Sequence, residues 1–472
     1  MSFTSPLFYV ILAAAGIGFY LAPGRLRAIY LLLLSFAFYA TWSRFYLLLL
    51  VIATAASYAI GLGIANGKSD EVKSRLMLLG VAAIVAAIVA FKAAGAATGF
   101  LLPLGLSYYS FKLISYLIEV YWDEDSVERD PVIFFLYPAF FPQIVSGPIQ
   151  RPEPFFRQMR EVMSRSASDP QIEAGFRYIL GGLMLKLLVG DRLGDFIDKV
   201  DGAHNEFSQA AMLATVACYT LQLYADFAGY TNIALGIGKI FGVEGPPNFN
   251  APFAATTIPE MWRRWHMSLT TWVTDYLFTP LSMSLRSLGQ TGLVICITLN
   301  MVIIGLWHGL TLNFLVFGLL HALFVIVTVF VNRRFAGNAR AKSDNGRDAP
   351  GRRLMAGTIA FGGMVLTFAL MSFSQIFWRA HTFSHAVSVL EQVVGLTQSG
   401  ARGIGDLGPG VALTTAVCAA IALYDGGGAP GARPLIARLD RVAPRWLQYG
   451  VCLFVLTILI YDNNAGFVYG QF

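Results

Sequence analysis

The amino-acid sequence predicts an all-α polytopic membrane protein, and three of its features lead to this fold class. Hydrophobic residues make up 56% of the 472-residue chain and charged residues only 13%, which is about half the charged fraction of a soluble protein. Apolar runs of roughly 17–25 residues, the length that crosses a bilayer as a helix, recur from end to end. These runs are continuously apolar rather than alternating, which excludes a transmembrane β-barrel.

The apolar runs define candidate membrane segments, and we expect about eleven to thirteen of them, some re-entrant. They cover residues 6–22, 29–43, 45–65, 76–98, 101–120, 132–148, 173–190, 208–240, 291–306, 309–331, 355–378, 408–424 and 447–461. The 208–240 run is long enough to be bent or to comprise two pieces. The sequence shows no convincing internal repeat, which weighs against many transporter folds. We therefore treat residues 1–472 as one domain.

Two parts of the chain are too rich in proline, glycine and polar residues to face lipid, namely residues 140–150 and 245–285. Irregular backbone at membrane depth is tolerated only where protein or a water-filled cavity covers it. We therefore expect both parts to be covered, within a helical bundle that surrounds a central funnel.

Basic residues indicate the orientation, because they concentrate in cytoplasmic loops. The largest basic loop covers residues 333–353 and a second covers 425–446, so we expect both in the cytoplasm. The first apolar segment lacks the charged start of a cleavable signal peptide and is interpreted as a membrane helix. The simplest topology places the N-terminus and the C-terminal tail, 462–472, outside. The net charge of +6 therefore does not imply nucleic-acid binding.

The segment from Thr257 to Pro280 is the most unusual. Thr257, Pro259 and Glu260 have the spacing of a helix start with a threonine cap. The helix predicted to follow mixes polar and aromatic side chains: Trp262, Arg263, Arg264, Trp265, His266, Thr270, Thr271, Trp272, Asp275 and Tyr276. It is too polar to cross lipid alone, and tryptophan and tyrosine favour the interface. We expect an amphipathic or re-entrant helix beside a water-filled funnel.

Two histidines are the first candidates for chemistry. His308 lies between Gly305 and Gly309 within a long apolar stretch, where a charged side chain would cost about 2.5 kcal/mol or more. His266 belongs to the segment just described. A neutral imidazole in such a place can act as a general base toward an alcohol. A hydrogen-bonded core histidine is the alternative, and the residue pattern alone leaves both open.

Other polar residues have two interpretations each. His321 follows His308 by an offset that turns a helix by roughly 140°, so either the helix breaks near Gly309 or Gly318 or His321 supports the site from a second layer. Arg263 and Arg264 either snorkel to the interface or bind phosphates of a donor. Asp226 either pairs with one of these arginines or lines the cavity, and it needs a partner if it is buried.

Familiar cofactor motifs are missing from the sequence. It contains no Walker loop, dinucleotide-binding fingerprint, Gly-x-Ser-x-Gly elbow or zinc-ligand spacing. The four cysteines lie in apolar stretches and are interpreted as small buried hydrophobes. We predict neither a metal site nor a tightly bound cofactor.

Four motifs, in order, resemble those of the membrane-bound O-acyltransferases, in the bacterial branch of alginate O-acetylation, peptidoglycan O-acetylation and teichoic-acid D-alanylation. They are LPLGLSYYSF at 102–111, FFPQIVSGPI at 140–149, YADFAGY at 224–230 and NFNAPF at 248–253. The resemblance covers nearly the whole chain. It implies that His308 is the catalytic base, that His266 is its partner, and that His321 matches a further histidine of the branch.

The resemblance also implies a donor, an acceptor and partners. The acyl group, most simply acetyl, would come from a cytoplasmic thioester, either acetyl-CoA or the phosphopantetheine of an acyl carrier protein. Trp262, Arg263, Arg264 and Trp265 would bind this donor. The acceptor would be a hydroxyl of an extracytoplasmic polysaccharide or cell-wall polymer. A periplasmic or secreted esterase-like partner is expected, with the protein in the bacterial cytoplasmic (inner) membrane.

Two features qualify this picture. The aromatic tail places Tyr469 near the C-terminus, where it either carries the acyl group as a transient ester or anchors the interface. Residues 281–284 (LSMS) depart from the alginate branch, so the acceptor polymer stays open.

Asp226 is assigned a supporting role. A lipid-linked saccharide transporter or flippase is the main alternative function, and a scaffold subunit with structural histidines is a weaker one.

Overall fold

The computed structural model describes residues 3–98, 103–164, 169–340, 350–397 and 400–403, with 444, 447–451 and 453. Helices dominate this part of the chain. It contains no named β-strand, and its extended segments form two isolated bridges, Phe207 with Arg402 and Phe249 with Trp265. The all-α class is confirmed. The chain divides into two compact units, which are described separately.

The first unit comprises the described residues within 1–184 and 228–247. Its first eight helices are α1 Pro6–Leu21, α2 Leu26–Ala40, α3 Arg44–Ala65, α4 Asp70–Thr98, α5 Leu106–Trp122, α6 Pro131–Ala139, α7 Pro152–Ser164 and α8 Asp169–Met184. The first five follow five of the predicted apolar runs to within a few residues. The short α7 was not predicted, because it is amphipathic rather than apolar.

Helix α6 is shorter than the predicted 132–148 segment. The Asp130 carboxylate caps its start by accepting from the Val132 amide at 2.9 Å. The helix stops at Ala139, and residues 140–150 run irregularly yet are all buried. From outside this stretch, the Lys112 ammonium donates to the Gln143 side-chain oxygen at 2.9 Å, and the Ser35 hydroxyl accepts from the Phe141 amide at 3.2 Å. The expectation that protein covers it is therefore confirmed.

The second unit comprises the described residues within 185–227 and 248–453. It starts with a π-helical turn at Leu185–Gly190, followed by α9 Asp191–Gly202. Helix α10, Gln209–Ile240, is continuous rather than divided, and its residues 209–227 belong to this unit. The later elements are α11 Ile258–Trp262, α12 Met267–Val273, a second π-helical turn Thr274–Phe278, α13 Thr279–Ser284, α14 Gly289–His308, α15 Leu312–Arg340, α16 Pro350–Arg379 and α17 Phe383–Val393.

Several helices are long and apolar enough to cross a membrane. Among the described residues five qualify, namely Arg44–Ala65, Asp70–Gly95, Arg286–His308, Leu312–Arg334 and Gly357–Arg379, and α1 and α2 are shorter apolar helices. A multi-pass membrane protein follows from these spans. The larger number of membrane segments expected from the sequence stays a prediction.

The flanks of the predicted cytoplasmic loop at 333–353 are helical in the structure, and the location of the loop in the cytoplasm stays a prediction. Helix α15 continues to Arg340 and α16 starts at Pro350, because charged side chains at a helix end can extend into water without breaking the helix. The predicted span 408–424, almost all of the loop 425–446 and the tail 462–472 lie outside the described residues.

Candidate active site

The helix predicted after Thr257 begins as expected. The Thr257 hydroxyl accepts from the Glu260 amide at 3.3 Å, and the Glu260 carboxylate accepts from the Thr256 amide at 2.9 Å. Partial burial raises the pKa of Glu260, but hydrogen bonds from Thr256 and Arg264 outweigh this and hold the pKa below its usual value. The predicted threonine cap is confirmed.

The same helix does not continue as predicted. It ends at Trp262, and α12 starts only at Met267. Between them His266 adopts a left-handed conformation with φ of 45°, which a residue other than glycine seldom adopts unless its surroundings fix it. The sequence shows no glycine or proline here to signal the break, so the prediction of one continuous helix was wrong.

A neighbouring extended segment fixes the break. The Met267 amide donates to the Asn248 carbonyl at 2.9 Å, and the Asn250 amide donates to the Arg264 carbonyl at 3.0 Å. The Asn248 side-chain oxygen also accepts from the Ser268 amide at 3.2 Å and the Ser268 hydroxyl at 2.6 Å. The backbone on both sides of His266 is therefore held by hydrogen bonds.

His266 is completely buried among aromatic rings. Its imidazole meets the Phe227 ring edge-on at 4.7 Å between centroids, and the Trp307 ring lies 6.2 Å away. Burial disfavours a charged imidazole, so a neutral ring is the form that suits this position.

His308 is the last residue of α14, and its side chain is 6% exposed. The helix ends there because Gly309 is extended. The His308 ring lies 4.4 Å from the Trp307 ring and 4.2 Å from the Trp378 ring. The Trp307 ring therefore lies within 6.2 Å of both imidazoles, and the catalytic pairing of His308 with His266 stays a prediction.

Gly305 lies where α14 packs closely on α15. A methyl group at Gly305 would come within 2.3 Å of the Phe314 carbonyl oxygen. A larger residue would push the helices apart and move His308, which is held by rings from both α15 and α16. The helix break near Gly309 that the sequence left open is present.

His321 has both ring nitrogens in hydrogen bonds. The Trp262 indole donates to Nδ1 at 3.2 Å, and Nε2 lies 2.9 Å from the Ser374 hydroxyl, which donates to the Met371 carbonyl. An indole N–H can only donate, so Nδ1 accepts and Nε2 carries the proton. This assignment fixes a neutral tautomer that ties Trp262 to α16, the geometry that a supporting residue requires.

Asp226 is paired differently from the expectation. Its carboxylate lies 2.5 Å from the Lys186 ammonium, whereas Arg264 pairs with Glu260 at 2.9 Å and Arg263 is exposed. The predicted arginine partner is therefore wrong. Lys186 was missed, although a lysine inside the apolar run 185–190, followed at once by Asp191, is a signal that could have identified it.

The donor-binding candidates divide into two groups. Trp262 and Trp265 are buried and shape the protein interior, whereas Arg263 extends to the surface. Arg264 is half-buried and held by Glu260 and the Asn250 carbonyl. Of these four residues, Arg263 is the one whose charge is open to a phosphate. Tyr469 lies outside the described residues.

The fold and the site define a class: a multi-pass α-helical membrane protein with two buried histidines, each at a helix break, beside a common tryptophan. The model of the membrane-bound O-acyltransferase family matches residues 26–373. The chain belongs to the membrane-bound O-acyltransferase family, and the matched residues include His266, His308 and His321.

Relatives with assigned names fall into the three predicted groups. The chain is 35% identical to a probable alginate O-acetylase of Pseudomonas fluorescens over 317 residues, 66% of this chain and 62% of the relative. It is 28% identical to a peptidoglycan O-acetyltransferase of Helicobacter pylori over 444 residues, 84% of this chain and 80% of the relative.

A third relative is the teichoic acid D-alanyltransferase of Bacillus subtilis, 32% identical over 222 residues, 44% of this chain and 54% of the relative. The chain spans about three fifths of the length of the alginate relative from Pseudomonas fluorescens (62%).

Proposed function

We propose that the protein is an O-acyltransferase that moves an acyl group, most simply acetyl, from a cytoplasmic thioester to hydroxyls of an extracytoplasmic polysaccharide or cell-wall polymer. The observation that supports this most directly is the contact of His266 and His308 with Trp307. Membership of the O-acyltransferase family supports it as well. The names of the relatives refer to different polymers, so the proposal specifies the class of acceptor and not one polymer.

The proposed reaction uses His308 as general base. Its neutral imidazole accepts the proton of the acceptor hydroxyl as the oxygen attacks the thioester carbonyl. A carbon–oxygen bond forms, the carbon–sulfur bond breaks, and the imidazolium returns its proton to the departing thiolate. His266 polarises the carbonyl or positions the donor. Burial suits this chemistry, because water that would hydrolyse the thioester is kept away.

Donor and acceptor are proposed to approach from opposite sides. The donor is acetyl-CoA or the phosphopantetheine of a carrier protein, and the exposed Arg263 is suited to its phosphates. The acceptor arrives from outside, where an esterase-like partner completes delivery. The proposal includes a location in the bacterial cytoplasmic membrane, and the basic loops favour both termini outside. Tyr469 is a candidate acyl carrier in the tail, and an aromatic anchor is its alternative.

A labelling experiment in cells tests this function. Labelled acetate is supplied, and ester-linked label in the surface glycan is compared between wild type, His308→Ala and His381→Ala at matched membrane levels. His381 is an exposed histidine and serves as the control. Loss of label only in His308→Ala, with polymer export intact, supports acyl transfer. Unchanged label, or loss of polymer export itself, favours a transporter or a scaffold.

A further inference from the structure

A buried charge cluster lies beside the site in the second unit. The Lys186 ammonium is 2.6 Å from the Asp191 carboxylate and 2.5 Å from the Asp226 carboxylate. The three side chains are 5%, 5% and 1% exposed. Burying charges is expensive unless their geometry is good, and this cluster has two carboxylates for one ammonium. The proposed reaction uses none of the three directly.

The cluster joins α10 to the π-helical turn and α9 at close range. A methyl group at Gly190 would lie 3.3 Å from the Asp226 amide nitrogen, tighter than an ordinary contact. One turn later, a methyl group at Gly194 would lie 2.6 Å from the Gln222 side-chain nitrogen. These two glycines let α10 approach the π-helical turn and α9. The ion pairs then fix the rotation of α10 about its axis and its depth in the unit.

The next residue of α10 transmits that position to the site. Phe227 follows Asp226, and its ring meets the His266 imidazole edge-on at 4.7 Å. The same ring contacts Phe249 at 5.2 Å, in the extended segment that holds the break at His266. A turn of α10 that moved Asp226 would therefore move the ring against which His266 packs.

We propose that Lys186 and Asp226 are positioning residues for His266, acting through Phe227. The proposal rests on the proposed function only for its effect on rate, because the placement of the imidazole can be measured without any substrate. Asp191 contributes charge to the cluster but lies on α9 and not on α10, the helix that carries Phe227.

The cluster contains two carboxylates, so each can be replaced separately in a matched pair of variants. Asp226→Asn and Asp191→Asn each remove one of two buried carboxylates, and each leaves Lys186 with one carboxylate partner. Neither variant leaves a buried ammonium without an acid, which is the change that most strongly destabilises buried ion pairs. The two variants have the same change in charge and nearly the same burial, and they differ in proximity to Phe227.

The first readout is the nuclear magnetic resonance signal of His266. The protein, labelled with ¹³Cε1-histidine, is placed in lipid nanodiscs, and the signal is assigned by its loss in His266→Gln. We expect Asp226→Asn to shift this signal, and Phe227→Leu to shift it as well. We expect Asp191→Asn to leave it where it is in the wild type.

The second readout is acyl transfer from a labelled thioester by the same preparations. We expect kcat to fall about tenfold or more in Asp226→Asn with the donor KM nearly unchanged, since a displacement of about 1 Å can cost about a hundredfold. Asp191→Asn should stay within about twofold of the wild type. Lys186→Arg, which retains the charge, should keep most of the wild-type rate.

The two readouts separate the failure of this inference from the failure of the proposed function. If Asp226→Asn leaves the His266 signal unchanged, or if Asp191→Asn shifts it equally, the positioning role is wrong. If the wild type transfers no acyl group, the proposed function is wrong, and the His266 signal alone then decides the inference.

Discussion

Irregular backbone interrupts the helices in two places that differ in what their polar groups do. In residues 140–151 of the first unit, Lys112 donates to Gln143 at 2.9 Å, and the Gln143 amide donates to Gln150 at 2.7 Å. In residues 248–268 of the second unit, hydrogen bonds hold the backbone around His266 and leave a buried imidazole among aromatic rings. A covered helix break is therefore not itself a sign of a catalytic site.

The difference indicates how stability and activity are distributed. The first stretch, here called the paired break, uses its polar side chains to bond one another, so changes there should affect folding. The second, here called the histidine break, uses its polar groups to position the His266 imidazole, so changes there should affect the rate of acyl transfer. Substitutions in each place test this division.

The largest effect is expected at the histidine break. Asparagine tolerates the left-handed conformation of residue 266, so His266→Asn should keep the fold and remove the imidazole. We expect acyl transfer to fall about 10²–10³-fold, the loss seen when one group that stabilises a developing charge is removed. The rate is measured with labelled thioester, and the thermal midpoint is measured alongside. A rate near that of the wild type would contradict the role of His266.

At the paired break a stability effect is expected instead. Lys112→Met removes the donor to the Tyr137 carbonyl and to Gln143, and an unpaired buried acceptor costs about 1–3 kcal/mol. The thermal unfolding midpoint should fall, while the rate per folded molecule stays near that of the wild type. Lys68→Met, at an exposed lysine, is the control. An unchanged midpoint with a lost rate would reverse the assignment.

A smaller change sharpens the comparison within the histidine break. Asn248→Ala removes the side-chain oxygen that accepts twice from Ser268, and each such bond is worth about 0.5–1.5 kcal/mol. We expect a modest loss of stability together with a several-fold loss of rate. Asn250→Ala is the control, because the bonds of Asn250 to Arg264 use its backbone. Equal effects of the two variants would remove Asn248 from this role.

The smallest effect is expected at the surface. Arg263 is exposed, and a surface charge contact is worth about 0.2–1 kcal/mol. Arg263→Gln should therefore raise the donor KM only about two- to fivefold, with kcat and stability unchanged. Arg286→Gln, at another exposed arginine, controls for net charge. An identical KM in both variants would exclude Arg263 as a donor contact.

Much of the fold follows from local sequence patterns. Continuous apolar runs located α1 to α5 and α14 to α16, and the Thr257 cap marked the start of α11, because hydropathy and capping act within a few residues. The end of α6 at Ala139 did not follow, since Phe140 and Phe141 are as apolar as a membrane span and are buried here without being helical.

The candidate site was predictable in its residues and less so in their geometry. His266 and His308 stood out as ionisable groups among apolar ones. The left-handed break at His266 depends on the Asn248 segment, and the partner of Asp226 proved to be Lys186. Contacts between residues distant in sequence leave no periodicity to detect, so a single sequence could not supply them.

The central claim is that the buried His308 is the general base of acyl transfer, and one measurement on the reconstituted protein tests it most directly. Wild type, His308→Ala and His381→Ala are placed in proteoliposomes, and a single turnover from labelled thioester to a hydroxyl acceptor is timed. We expect His308→Ala to lose about 10²–10⁴-fold in rate, the range of general acid–base catalysis, while His381→Ala matches the wild type. Transfer by His308→Ala at the wild-type rate would contradict the account.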